Sequence, residues 1–417
     1  MDLSFKIGHR QETVFIPDAN LLGVLYANDF SAELTGSAAV RRALEHPIGQ
    51  KPISQLFHPG ETVAIVTSDI TRPMPTAQVM PLLLEELYRA GIRREDITLV
   101  FALGSHRKQT EQERRTLAGP QAWAEISCVD SDPNDCIHLG YTSAGTPVDI
   151  TRRVAEADRR ICLGNIEYHY FAGYSGGAKA MMPGVSTRAA IQANHRMMVL
   201  PEARAGALDD NPLRRDIEEA GAICGIDFIL NVVLNEQKEI VHAVAGDPVL
   251  AHRQGCAFLD TIYRKVISQP ADIVLVSQGG HPKDLNLYQT QKALDNARHA
   301  VKPGGIIILI GSCGEGMGEA VFEEWMTGAP TPQSLIQRIQ EDFQLGGHKA
   351  AAIALTLEKA EIYLVSDLDD AFVRSIFLMP QPCVQEALNQ ALRKLGPDAT
   401  VLAMPYGGST LPYLKQS

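Results

Sequence analysis

A chain of 417 residues with 45% hydrophobic content is long enough to bury two cores, because a single core stops growing near roughly 250 to 300 residues. Its formal net charge of -11 at pH 7 argues against nucleic acid and anionic membrane surfaces as partners, since both demand concentrated positive charge. The seven cysteines form no Cys-x-x-Cys pair and no uncharged run approaches the roughly 18 residues of a membrane span, so we expect a cytoplasmic protein with no membrane partner, zinc knuckle or disulfide framework.

The first legible pattern starts at Thr62, where TVAIVTS reads as a buried strand. Residues Pro75 to Ile92 then carry apolar side chains at helical spacing, and Asp96 to Ser105 form a second strand; together these make a βαβ unit. Further strands are expected at Arg160 to Gly164, Asp227 to Leu234, Asp272 to Ser277, Gly305 to Ile310 and Glu361 to Val365, with helices between most of them. This alternation implies an α/β protein of two domains, each a mostly parallel sheet flanked by helices. The boundary is expected near Ser268 to Ala271, dividing a catalytic, cofactor-carrying domain (1–270) from a C-terminal α/β domain (271–417). The last residues, with Gly407, Gly408 and Pro412, are expected to fold back on the first domain.

Ligands of open parallel sheets bind beyond the carboxyl ends of the strands, so polar residues just after a strand attract attention. Asp69, Thr71 and Arg72 follow the first strand, His106 the second, and the segment HYFAGYSGGAK from His169 to Lys179 follows RICLG. Gln278 to Asp284, with His281 and Lys283, follows DIVLVS. Arg72 suits an anion, which a guanidinium grips through parallel hydrogen bonds; an Asp69 to Arg72 surface pair explains the same residues. His106 and His169 have the side chain best matched to proton transfer near neutral pH, and two imidazoles near one carbon would serve its two faces.

Lys179 follows Gly176 and Gly177, yet the phosphate-loop order fails because alanines flank the lysine. An amine on a glycine-rich loop suits covalent attachment to a cofactor; a solvated lysine is the simpler alternative. After Pro183 and Gly184, a helix capped by Ser186 would set Ile191, His195 and Met198 on one apolar face, where His195 is either a satisfied core residue or a metal ligand. On a later helix Tyr288, Gln289 and Lys292 share a face.

Taken in order, Asp69-x-x-Arg72-Pro73, Leu103 to His106, Glu167 to Lys179, Pro183-Gly184, Asn194-His195 and Tyr288 to Lys292 resemble the nickel-dependent lactate racemase family. The resemblance implies a nickel-pincer nucleotide (pyridinium-3-thioamide-5-thiocarboxylic acid mononucleotide) covalently tethered at Lys179, with nickel bound by the cofactor and by His195. It further implies His106 and His169 as paired acid/base residues, with Arg72, Lys292 and Tyr288 binding substrate. Asp69, Thr71, Arg72, Pro183, Gln289 and Lys292 would surround the cofactor in a cleft between the domains. The implied reaction inverts a small 2-hydroxy acid by reversible hydride transfer from C2, and the implied partners are cofactor-maturation enzymes. Some family members place a tryptophan over the cofactor; the segment Leu345 to Glu358 has none, and Trp325 lies outside it. Two other readings of the residues are a Schiff-base enzyme using Lys179 and a non-catalytic binding protein for a small anion.

Overall fold

The computed structural model describes residues 1–414. It divides into two compact units: Phe30 to Asp260, and Met1 to Asp29 together with Thr261 onward.

In the Phe30 to Asp260 unit a six-stranded sheet runs in the spatial order Ile240–Gly246, Phe228–Leu234, Arg159–Asn165, Val63–Ser68, Ile97–Ala102, Ser127–Asp130. All neighbours are parallel except the edge pair of Ile240–Gly246 with Phe228–Leu234. Val63 through Thr67 are buried on both faces of the sheet, as expected of a β-branched run covered on each side. The helix Thr76–Arg89 covers one face through Val79, Met80, Leu83, Leu84 and Leu87, and these side chains join Ile65, Leu99, Ile161 and Leu230 in one core. From the strand Val63–Ser68 the chain builds outward to one side, then returns to lay Arg159–Asn165 on the other. That reversal is a topological switch point, where loops diverge and leave a crevice at the carboxyl ends.

The second unit has its own six-stranded sheet, in the order Met379–Gln381, Ala360–Val365, Val301–Ile310, Ala271–Ser277, Val401–Met404, Leu21–Val24, with every neighbouring pair parallel. Each expected strand is thus present, and the alternation of strand and helix gives the expected two-domain α/β architecture.

The division of the chain differs from the single boundary expected near 268–271. Residues Met1 to Asp29 belong with the C-terminal residues. The cause is hydrophobic: the hairpin Asp2–Ile7 and Arg10–Phe15 alternates buried and exposed residues, and Leu3, Phe5, Ile7 and Val14 pack with Ile273, Leu275, Ile306 and Ile308. The strand Leu411–Leu414 pairs in parallel with Arg264–Ile267, and both lie in this same unit. Among the described residues no helix is long and apolar enough to cross a membrane, and all seven cysteines are free.

Candidate active site

The loops after Val63–Ser68 and Ile97–Ala102 meet in a carboxylate–imidazole pair. His106 Nδ1 lies 2.7 Å from Asp69 Oδ2, and Asp69 is only 3% exposed. Thr71 Oγ1 donates to Asp69 Oδ1 at 2.7 Å and lies 3.3 Å from His106 Nδ1. Burial pushes the Asp69 carboxyl up, but His106, Thr71 and the charge of Arg72 outweigh it and hold the group below its ordinary value. An ionised Asp69 fixes the His106 proton on Nδ1, so Nε2 is the nitrogen that accepts a proton. Arg72 itself is exposed, and its backbone N–H closes the turn on Asp69 at 3.2 Å.

The Gly104 N–H donates to the Gly184 carbonyl at 2.9 Å, which ties the His106 loop to the segment containing Pro183. Pro183 follows a cis peptide bond with Met182.

His169 sits in a tight antiparallel turn, Tyr168–His169 against Gly173–Tyr174. The Ala172 N–H donates to its Nδ1 at 3.3 Å. The Phe171 ring stands edge-on 4.5 Å from the His169 ring and 4.9 Å from the His195 ring. An acid/base candidate and a metal-ligand candidate therefore flank one phenyl group.

His195 ends the helix Arg188–His195 and is 5% exposed. Its Nδ1 lies 3.0 Å from Asn194 Oδ1. The Asn194 amide nitrogen is committed to Asp216 Oδ2 at 2.7 Å and to the Leu213 carbonyl at 3.3 Å, so the oxygen is the atom turned towards the imidazole. His195 Nδ1 is then the donor, and Nε2 carries the lone pair that a metal requires. Asp216 is held in turn by Thr142 and by Thr146, the latter at 2.8 Å. The helix is capped by Thr187, not by Ser186 as expected, because Thr187 Oγ1 accepts from the Ala190 N–H while Ser186 Oγ donates to the Met181 carbonyl.

Lys179 lies in a short turn, Gly177–Ala180. The glycines before it are pressed against the protein interior. At Gly173, with φ 77°, a Cβ would lie 1.8 Å from the Ala207 carbonyl oxygen; at Gly177, with φ 60°, it would lie 2.8 Å from the Arg214 guanidinium and 3.0 Å from the His252 ring. Beneath the loop Arg214, fully buried, donates to the Tyr174 and Gly176 carbonyls at 3.3 and 3.4 Å, while its Nε donates to Glu218 at 2.8 Å. His252 Nε2 donates to the Ser175 carbonyl at 2.8 Å and its Nδ1 accepts from Arg214 at 3.0 Å. Burial and the neighbouring Arg214 keep His252 neutral, well below its ordinary value. Asn231 Oδ1 accepts from the Gly177 N–H at 2.7 Å.

The Lys179 amine feels this setting. Enclosure first, then the charges of Arg72 and Arg214, pull its pKa down to about 7, with Glu167 opposing. A large share of the amine is therefore neutral, and nucleophilic, at neutral pH.

Tyr288, Gln289 and Lys292 belong to the other unit, on the helix Leu287–Ala297. Its N-cap Asn286 accepts from the Gln289 N–H at 3.0 Å. Tyr288 and Gln289 are half-buried and Lys292 is exposed; the Lys349 ammonium stands 5.2 Å over the Tyr288 ring.

A family model described as the lactate racemase N-terminal domain matches residues 7–206, and one described as the lactate racemase C-terminal domain matches residues 266–411. The lactate racemase of Thermoanaerobacterium thermosaccharolyticum is 33% identical over 408 residues, covering 95% of each chain. That of Lactiplantibacillus plantarum is 31% identical over 413 residues, covering 95% of this chain and 96% of the relative. The chain belongs to the lactate racemase family. The solved apoprotein structure of the Thermoanaerobacterium lactate racemase superposes with a TM-score of 0.88 at 31% identity, covering 99% of this chain and 100% of that one. A Thermotoga maritima protein at 19% identity and TM-score 0.60, covering 87% and 96% of the two chains, shares the fold.

Membership in the lactate racemase family makes this protein an enzyme, a racemase, and sets aside the reading as a non-catalytic anion binder. Trp325, the tryptophan nearest in sequence to the segment where some family members carry one, is fully buried. It packs behind Gly347, whose Cβ would lie 2.6 Å from the indole, with Arg338 4.2 Å above the ring. It is therefore a core residue.

The residues that support the loops, Arg214, Asp216, Asn231 and His252, were not singled out from the sequence. Only Asn231 leaves a trace there, as a polar residue inside the apolar strand run FILNVVL. Arg214 and Asp216 sit in an ordinary amphipathic helix, Pro212–Cys224.

Proposed function

We propose that this racemase inverts a 2-hydroxy acid, lactate first among them, using a nickel-pincer nucleotide tethered to Lys179 with His195 as the protein's nickel ligand. The observation that carries the reading is the pair of ring contacts on Phe171, which brings the imidazoles of His169 and His195 to one place.

The residues present suit such a group. Covalent attachment needs a neutral amine, and a substantial share of Lys179 is neutral near pH 7. Coordination needs a fixed imidazole, and Asn194 holds Nδ1 of His195, which leaves Nε2 as the nitrogen that would ligate. Among the described residues no group of three or more His, Cys, Asp or Glu side chains is arranged to hold a metal ion, so His195 would act beside donors supplied by the nucleotide. When bound, the nucleotide would supply a reversible acceptor for the hydrogen at substrate C2, redox chemistry that side chains lack.

The chain's own residues do the rest. Arg72 and Lys292 neutralise the substrate carboxylate, the guanidinium by a bidentate grip. His106 Nε2 takes the substrate hydroxyl proton, and the imidazolium so formed is stabilised by Asp69 at 2.7 Å. His169 handles the same proton when the opposite face reacts, so configuration changes without net oxidation. Its Nδ1 accepts from the Ala172 N–H, which leaves Nε2 as the protonated nitrogen of the neutral ring and its donor towards substrate.

Intact-mass and metal analysis of protein co-expressed with cofactor-making enzymes tests the reading. We expect a nucleotide-sized adduct on Lys179 and one nickel per chain. An unmodified chain, in cells that load a known lactate racemase, sinks it. A borohydride-reducible adduct without nickel points instead to a Schiff-base enzyme. Racemisation in heavy water should leave the C2 hydrogen unexchanged; extensive deuterium uptake contradicts the acid/base roles assigned here.

A further inference from the structure

The helix Pro212–Cys224 and its N-cap touch the lysine loop at Phe171, Tyr174, Gly176 and Ala178. Its N-cap Asn211 donates to the Phe171 carbonyl at 2.8 Å. Arg214 donates to the Tyr174 and Gly176 carbonyls. Two turns further on, Gly221 lets the helix approach so closely that a Cβ there would lie 2.6 Å from the Ala178 side chain. The same helix holds Asn194, the partner of His195, through Asp216 and the Leu213 carbonyl.

A fully buried guanidinium is costly unless every donor is used. Here Nε is taken by Glu218, one terminal nitrogen by two loop carbonyls and the other by His252. Glu218 also accepts from Arg253 at 2.7 Å, so the carboxylate is shared between two cations and Arg214 keeps an unneutralised part of its charge facing the loop. Lysine cannot reproduce this geometry, because an ammonium is a compact point charge and cannot span separated carbonyls in a plane.

We propose that Arg214 is the positioning residue of the Lys179 tether: from beneath the loop it fixes the backbone from Tyr174 to Gly176, and with it the place at which the amine meets the incoming cofactor. His252 is its auxiliary, holding the one carbonyl between, that of Ser175. A second effect accompanies the first. The charged groups that act on the amine are Arg72 and Arg214, which disfavour its protonated form, and Glu167, which favours it. Arg72 is exposed and screened by water, whereas the charge of Arg214 is not. The assignment rests on the attachment proposed above; the labelling readout of its test needs no cofactor, whereas the adduct readout does.

The test is competitive labelling of the apoprotein with trace acetic anhydride across a pH range, reading acetylation of Lys179 by peptide mass spectrometry. Wild-type protein should give a midpoint near 7. Arg214→Gln should raise it only part of the way, since enclosure and Arg72 still act on the amine, and on co-expression with cofactor-making enzymes its adduct fraction should fall at least several-fold. Arg214→Lys retains the charge without the planar fork, so its midpoint should stay low while the adduct fraction falls. His252→Asn, which removes no charge, should also keep the midpoint and lose part of the adduct; it is the variant to read if both Arg214 variants fail to fold. Folded variants with wild-type midpoint and wild-type adduct fraction overturn the proposal. If wild-type protein takes up no nucleotide, the functional reading fails, and the labelling midpoints still decide whether the charge of Arg214 acts on the amine.

Discussion

Both units contain a parallel sheet with a switch point, yet the chain packs differently at each. In the Phe30 to Asp260 unit the loops beyond Val63–Ser68, Ile97–Ala102 and Arg159–Asn165 hold Asp69, His106 and the segment His169 to Lys179. In the other unit the chain reverses between Ala271–Ser277 and Val401–Met404, and there the N-terminal hairpin fills the space. Ser277 Oγ donates to the Lys6 carbonyl at 2.7 Å, the His281 N–H to the Gly8 carbonyl at 2.9 Å, and the Gly8 N–H to Asp284 Oδ2 at 2.7 Å. Gly408 closes the other side so tightly that a Cβ would lie 2.3 Å from Gln278 Oε1. A strand's carboxyl end is thus a place where a site can form, and whether one forms depends on what else the chain packs there. The polar residues that this unit offers, Tyr288, Gln289 and Lys292, come from a helix instead.

If the comparison is right, the largest losses come from the open switch point. Lys179→Met should abolish the cofactor adduct and racemisation while leaving the protein folded, as read by intact mass and melting. It should also flatten one limb of the stability profile. Between about 7 and 10.5 the unfolded chain holds a proton at Lys179 that the folded apoprotein has lost, so this group makes stability rise with pH across that window; the variant lacks the rise.

Asp69→Asn comes next. The amide cannot stabilise a protonated His106 and can turn its NH2 towards Nδ1, which disfavours the working tautomer. We expect kcat per loaded chain to fall by roughly 10²-fold or more. The native carboxyl lies below its ordinary value of 3.8, so the pair contributes its full stability above that value and loses it as pH falls through the lower folded pKa. Asn194→Ala, one step removed from the chemistry, should weaken nickel retention by about 10- to 100-fold, measured by competition with a chelator.

The open site was legible in the sequence where its residues lie close together or directly after strands. Asp69, Thr71 and His106 stand out by their position after apolar runs and His195 by helical spacing, whereas Asn194 enters only through the family resemblance. What holds them is not legible, because Arg214 reaches Tyr174, His252 reaches Ser175 and Asp216 reaches Thr146 across 40, 77 and 70 residues, through tertiary contacts that leave no local pattern. The placement of residues 1–29 escaped for the same reason: a hairpin alternating Leu3, Phe5 and Ile7 with polar residues specifies that it must be half-buried, but not against which sheet.

Lys292→Met tests the helix-borne contribution of the second unit. An exposed ammonium is screened by water, so its loss should raise KM for the hydroxy acid by roughly 10-fold and leave kcat within a factor of a few. A collapse of kcat comparable to that of Asp69→Asn would break the distinction between the two units.

The smallest expected catalytic effect lies at the filled switch point, and it is the sharpest control on the comparison. Ser277 is fully buried at a strand's carboxyl end, the same topological position that Ser68 and Asp69 occupy in the other sheet. Its Oγ donates to the Lys6 carbonyl and accepts from the Gly279 N–H at 3.0 Å. Ser277→Ala leaves both backbone groups without that partner, at a cost of about 1 to 3 kcal/mol. The melting temperature of this unit should drop by a few degrees, while adduct formation, nickel content and the pH profile of turnover stay at wild-type values. A change in any of those three would mean that the filled crevice takes part in the chemistry after all, because a lost hairpin contact alone moves stability and nothing else.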